Sequence, residues 1–273
     1  MLLQNKLSEL SQQGKALLAT NFYNFETLSG VLQAAAEKNK SIILQLSESS
    51  IQYMGLEVAV AMARAALSHY QVEGWLHLDH GSSVEMVRRC LGAGFDSVMI
   101  DASEKSFSDN VKITSEVVKL AQQYKANVEA ELGYVAKLGQ AQVVNKFTQP
   151  EEAARFVEET GVNALAVAIG SAHGFYKEPP KLQIELLGRI HQATSASLVL
   201  HGSSGIPDEQ LRSAIERGIS KVNLATETKN IFMRSLKNVL TDNDEIDLRK
   251  VFPKATASVT ALIIEKLAVI SPG

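Results

Sequence analysis

The stretch LVLHGSSGIPDEQLRSAIERGISKVNLATE, residues 198–227, reads as one strand–helix–strand unit. It begins within a short leucine- and valine-rich run, SLVLHG (197–202), and crosses a cluster of glycine and serine. It continues as PDEQLRSAIERG, with Pro207, Asp208 and Glu209 at the start and Gly218 at the end, and closes on a second run, KVNLAT (221–226). Proline and acidic residues suit the first turn of a helix, and glycine suits its termination. Two short apolar runs joined by a helix of this length predict parallel neighbours in a sheet.

The same pattern recurs along the chain. Further runs are KALLATN (15–21), SIILQLS (41–47), GWLHLD (74–79), DSVMID (96–101), NVEAEL (127–132) and NALAVAI (163–169), giving eight in all. Helical patterns lie between them, among them FETLSGVLQAAAEKN, VEMVRRCLGAG, VKITSEVVKLAQQY and PEEAARFVEETG. In the third of these, Thr114, Val117, Val118, Ala121 and Tyr124 fall at the three- and four-residue spacing of one buried face. Runs that read as apolar throughout predict strands covered on both faces, as in a parallel sheet wrapped by helices. Eight such units in about 250 residues predict an α/β fold of the (β/α)₈ TIM-barrel type. An open doubly wound sheet is the alternative. No linker composition divides the chain, so residues 1–273 are expected to form one barrel domain with a C-terminal helical extension.

Composition excludes several classes of function. The 27 Lys and Arg against 30 Asp and Glu leave a net charge of −3, so no global positive field would attract nucleic acid or an anionic membrane. The longest apolar run, Ala164 to Ile169, is far too short for a membrane span. The N-terminal MLLQNKLSELSQQGK spaces its leucines as a helix does and lacks the core of a signal peptide. A lone cysteine, Cys90, has no partner for an internal disulfide, and a cytoplasmic location is expected.

In a barrel of this kind the chemistry gathers at the carboxyl ends of the strands. Those ends read TNFYN, SESS, DHGSS, DAS, ELG, GSAHG, HGSSG and NLATE, and three of the six histidines, His80, His173 and His201, fall there. Three neutral imidazoles from different strands suit a catalytic zinc, which keeps one position open for substrate. Glu131 offers a further ligand or a salt bridge. His77, inside a run, is expected to pack or to orient its neighbours, while Ser82, Ser103 and Ser203 taken singly suit helix caps. Asp79 and His80 are adjacent, so both reach the mouth only if the chain turns there, and Gly81 permits such a turn. Asp79 could orient an imidazole or exchange a proton with substrate. Glycines and small hydroxyls at the last three ends suit a phosphate, held locally by backbone N–H groups.

At these residues the chain resembles the class II, zinc-dependent fructose- and tagatose-bisphosphate aldolases, and the likeness runs over nearly its whole length. ATNFYN, HLDHGSS, AVAIGSAHGFYK and LVLHGSSGIPDEQLRSAIERGISKVNLATE carry it, the last two most specifically. The resemblance implies a (β/α)₈ barrel that cleaves a ketose bisphosphate to dihydroxyacetone phosphate and an aldehyde phosphate. It implies zinc on His80, His173 and His201, a second-site metal glutamate at Glu131, a monovalent cation as a further candidate, and a proton donor at Asp79. Contacts to dihydroxyacetone phosphate would come from Gly174, from Gly202, Ser203 and Ser204, and from Asn223, Leu224, Ala225 and Thr226, with Asn21 and Ser47 nearby. VNLATE is closer to the tagatose-type branch, because fructose-type relatives often carry aspartate or asparagine at the position of Ala225. A homodimer or homotetramer is implied as well.

Two departures stand out. The family usually places acidic residues in a glycine-rich loop after the fifth strand, whereas YVAKLGQAQVVNKFTQP (134–150) has neither Asp nor Glu. That leaves a non-catalytic or differently specific phosphosugar-binding relative as the alternative. The Pro-Arg pattern near the carboxyl end is eroded, and IDLRKVFPK offers only Arg249, Lys250 and Lys254 for the distal phosphate. For a Schiff-base mechanism no lysine is well placed at a strand end; Lys221 only begins the eighth run.

Overall fold

Each of the eight runs becomes a strand in the computed structural model, which describes residues 1–133, 135, 147–178, 180–241 and 243–272. The strands are β1 (Leu17–Asn21), β2 (Ile42–Ser47), β3 (Gly74–Gly81), β4 (Ser97–Ile100), β5 (Asn127–Leu132), β6 (Ala164–Val167), β7 (Ser197–Leu200) and β8 (Ile219–Leu224). All pair in parallel in sequence order, and β8 closes on β1 through Leu17↔Lys221 and Ala19↔Asn223. Helix α1 (Leu3–Gln12) precedes the barrel. Around it run α2 (Phe25–Glu37), α3 (Glu48–Met54), α4 (Leu56–Tyr70), α5 (Val84–Ala93), α6 (Phe107–Gln122), α7 (Pro150–Thr160), α8 (Ile184–Ala193), α9 (Asp208–Glu216), α10 (Thr226–Leu240) and α11 (Leu248–Ile270). The closed order rules out the open doubly wound sheet.

Local chemistry explains the boundaries. Asn24 and Thr27 bond reciprocally at the start of α2, a capping box that satisfies two free N–H groups. Pro150 opens α7, and Gly161 ends it in the left-handed conformation. On the outer wall Leu18, Leu44, Leu76, Val98 and Leu165 are fully buried beneath the helices. Tyr124 departs from its expected place on the buried face of α6: it lies beyond the end of the helix and is 44% exposed.

The barrel interior is stratified. At the amino end Leu3, Leu7 and Leu10 of α1 form a plug against Leu17, Ile43, Trp75, Ala164 and Val199. Burying each such leucine stabilises by about 2 kcal/mol. Above the plug the lining turns polar: Gln45, His77, Ser97, Asn127, Glu129 and Lys221 are buried. The runs are therefore not apolar throughout. Alternation along each strand sends one set of residues to the helices and the other into the barrel. The inward set is tolerated because its members hydrogen-bond one another.

Candidate active site

Asp79 and His80 reach the same rim through a local break in the strand. The β3–β4 register shifts between Leu78 and Gly81, and His80 takes a φ of +53°, in the left-handed region. The turn thus falls on His80, one residue before the expected Gly81. Glycine is needed at 81 for space instead, since a Cβ there would sit 2.6 Å from the Met99 carbonyl oxygen. The bulge leaves His80 Nε2 3.9 Å from Asp79 Oδ1.

His201 directly follows β7, and His173 lies in the loop after β6. Tyr176 ties the two loops together: its hydroxyl accepts from Ala172 N at 2.6 Å and donates to the Gly202 carbonyl at 2.8 Å. Ring centroids lie 4.8 Å apart for His80 and His201, 5.0 Å for His80 and His173, and 5.7 Å for His173 and His201. One potential ligand atom from each of His80, Glu131, His173 and His201 lies within 4.8 Å of the other three. His80 Nε2 and His201 Nδ1 are 3.1 Å apart, close to the roughly 3.3 Å expected of two nitrogens on one tetrahedral zinc. Glu131 Oε2 is buried without a hydrogen-bond partner among the described residues. An orphaned carboxylate oxygen beside gathered imidazoles fits a metal ion.

Two carboxylates that the sequence reading passed over hold these rings. Asp101 Oδ2 lies 2.7 Å from His80 Nδ1, and Glu129 Oε1 lies 2.8 Å from His201 Nε2. Asp101 stood in view at the DAS strand end, whereas only the period-two alternation within NVEAEL points Glu129 toward the barrel axis. Below them Lys221 Nζ contacts Glu129 Oε2 at 2.6 Å and His77 Nε2 at 3.2 Å, and His77 Nδ1 meets Ser97 Oγ at 2.7 Å. His77 thus fills its expected packing and orienting place.

Electrostatics follow from this crowding. Burial opposes charge on His80, yet the Asp101 hydrogen bond and the charges of Asp79 and Glu131 raise its pKa to about 9. Glu131 is pushed up to about 8, by burial first and by the Asp101 charge second. Burial disfavours the ionised forms of Asp79 and Glu129 as well, but positive neighbours prevail. His80 and His201 draw Asp79 below the ordinary carboxylate range, and Lys221 does the same for Glu129. Burial lowers His201 despite its bond to Glu129.

The side expected to take the phosphate is less uniform. Asn21, Gly174, Gly202, Ser204, Asn223, Ala225 and Thr226 line one recess with Asp79, His173 and His201. Ser203 points away, its hydroxyl donating to the Asn223 carbonyl at 2.6 Å, and the Leu224 side chain is buried in the outer core. Ser47 caps α3 by accepting from Ser50 N. Ser83 rather than Ser82 caps α5, and Ser103 donates to Asp101 Oδ1 at 2.8 Å. Tyr134 and residues 136–146 of the loop without acidic residues lie outside the described residues. Among the described residues a larger cavity, about 680 Å³, opens at the amino ends of the strands near Gln4, Asn163 and Ser197, far from the histidines.

A family model described as "Fructose-bisphosphate aldolase class-II" matches residues 2–272. The chain belongs to the class II fructose-bisphosphate aldolase family. It is therefore a class II aldolase, a lyase of a metal-dependent family that acts on phosphorylated ketoses and yields dihydroxyacetone phosphate. It is 36% identical over 290 residues to a fructose-bisphosphate aldolase of Helicobacter pylori (strain J99 / ATCC 700824), covering 96% of this chain and 94% of the relative. The solved YdjI aldolase of Escherichia coli K12 superposes with a TM-score of 0.87 at 31% identity, over 99% of this chain and 97% of that one. The fold alone is shared with the Campylobacter jejuni fructose-bisphosphate aldolase, at a TM-score of 0.86, 20% identity, and 99% and 94% coverage. Among the described residues no helix of this aldolase is long and apolar enough to cross a membrane.

Proposed function

We propose that the chain is a zinc-dependent aldolase that reversibly cleaves a ketose 1,6-bisphosphate, of tagatose or fructose type, to dihydroxyacetone phosphate and an aldehyde phosphate. One buried oxygen carries this proposal. Asp79 Oδ2 accepts from Asn21 Nδ2 at 2.9 Å, while Oδ1 has no hydrogen-bond partner among the described residues and lies beside the gathered histidines. A buried carboxylate oxygen left open at a mouth is a base awaiting a hydroxyl.

His80, His173 and His201 would hold the zinc, with Glu131 as the second-site ligand. When bound, the ion supplies Lewis acidity that offsets the negative charge developing on the three-carbon fragment. Asp79 removes the proton of the C4 hydroxyl as the C3–C4 bond breaks, and returns it in condensation. Asn21 holds that carboxylate toward the substrate and favours its ionised form. Gly174, Gly202, Ser204, Asn223, Ala225 and Thr226 cradle the phosphate of the three-carbon unit beside the start of α10, where the Ser204 hydroxyl accepts from Glu227 N at 3.2 Å. Fixing that phosphate turns remote binding energy into orientation at the reacting carbons.

Ala225 within VNLATE favours the tagatose type. Fructose and tagatose differ at C4, the carbon whose hydroxyl Asp79 serves, so a panel of ketose mono- and bisphosphates tests the proposal directly. Triose phosphate released from a 1,6-bisphosphate only in the presence of zinc supports it, and release from none of them overturns it. A cytoplasmic homodimer or homotetramer completes the proposal, and light scattering on the purified protein checks the assembly.

A further inference from the structure

The family chemistry leaves unused a charged pair sealed inside the barrel. Glu129 and Lys221 are both fully buried, and their 2.6 Å contact lies beneath the mouth. The free oxygen of the pair, Glu129 Oε1, lies 2.8 Å from His201 Nε2. A carboxylate beside a lysine ammonium has no hydrogen to give, so the hydrogen in that contact belongs to Nε2. The other ring nitrogen, Nδ1, faces His80 Nε2 at 3.1 Å, inside the histidine cluster. Asn223 Nδ2 also approaches His201 Nε2, at 3.1 Å, but as a donor it competes for a lone pair and cannot do what Glu129 does.

The geometry points to Glu129 and Lys221 as a positioning pair that locks His201 in one tautomer, with hydrogen on Nε2 and Nδ1 presented to the metal. The inference rests on the histidine cluster being the metal site. Lys221 acts at one remove, keeping Glu129 an acceptor and fixing its orientation, and His77 steadies Lys221 from the other side. This assignment also removes Lys221 from any role as an amine nucleophile, because it is sealed from the mouth and ion-paired.

The test uses the full-length zinc-loaded protein labelled with ¹⁵N-histidine. Long-range ¹H–¹⁵N spectra of the wild type are expected to show His201 protonated at Nε2 and metallated at Nδ1; metallation at Nε2 overturns the inference. Glu129→Leu/Lys221→Met removes acceptor and counter-ion together, so no lone buried charge remains to unfold the barrel. Its zinc affinity, measured by chelator competition, should fall about 10- to 100-fold. Glu129→Gln/Lys221→Met restores a neutral acceptor and should recover most of that loss. A pair with a merely structural role would change Tm yet leave the affinity of the folded protein and the His201 tautomer as they are, and that result overturns the inference too. Failure of the wild type itself to bind zinc would overturn the metal site as well, and it differs visibly from a wild type that binds alongside a variant that binds equally.

Discussion

Asn21 Nδ2 donates to Asp79 Oδ2 at 2.9 Å, joining the carboxyl ends of β1 and β3 across the intervening β2. The bond uses one carboxylate oxygen and leaves Oδ1 without a hydrogen-bond partner among the described residues, beside the histidines. Asp79→Ala should therefore lower kcat by about 10²- to 10⁴-fold while metal content stays unchanged. Asn21→Ala should cost less, since it misorients the base without deleting it. Triose phosphate release and metal analysis on the same preparations check both, and full activity in Asp79→Ala would refute the assignment.

Metal removal should abolish cleavage, and added zinc should restore it. His173→Ala and His201→Ala are each expected to lose bound zinc and activity together, because each ring contributes to one cluster. Borohydride with substrate should trap no adduct, given the burial of Lys221. A labelled lysine found by peptide mapping would reverse the mechanism.

Gly202 has a φ of +67°, and a Cβ on it would collide with the backbone of Ala172, the residue next to His173. Gly202→Ala is expected to destabilise the fold by about 1–3 kcal/mol and to push the His173 loop away from His201. A weakened zinc affinity that accompanies the lower Tm would show that the strain reaches the cluster; an unchanged Tm would contradict the crowding.

Acidification should expose the buried His77. Burial first, and the Lys221 charge second, press its pKa down to about 3, against a value near 6.5 in the unfolded chain. Between those limits the unfolded state binds a proton that the folded state refuses, so stability drops as pH falls from about 6.5 toward about 3. Denaturant midpoints across that window should decline less in His77→Gln than in the wild type. Parallel slopes would mean that His77 titrates freely.

Most of the architecture was legible in the chain because periodicity and helix punctuation are local. Eight runs, Pro207 and Pro150 at helix starts and Gly161 at a helix end announce strands and helices without reference to distant residues. Composition and the histidines at three strand ends indicated where chemistry would collect and of what kind. Asp101 and Glu129 were harder to place, since they act through rings 21 and 72 residues away along the chain, respectively. Sequence alone thus determined the barrel and the family, and it marked the rim where the candidate site lies. Tertiary structure decided that the turn falls on His80, that Ser47 caps a helix, and that Lys221 neutralises a carboxylate inside the barrel. The physical reason is that a strand's dihedral break, a hydroxyl's partner and a buried ion pair depend on atoms that barrel closure brings together, and no local pattern encodes those distances.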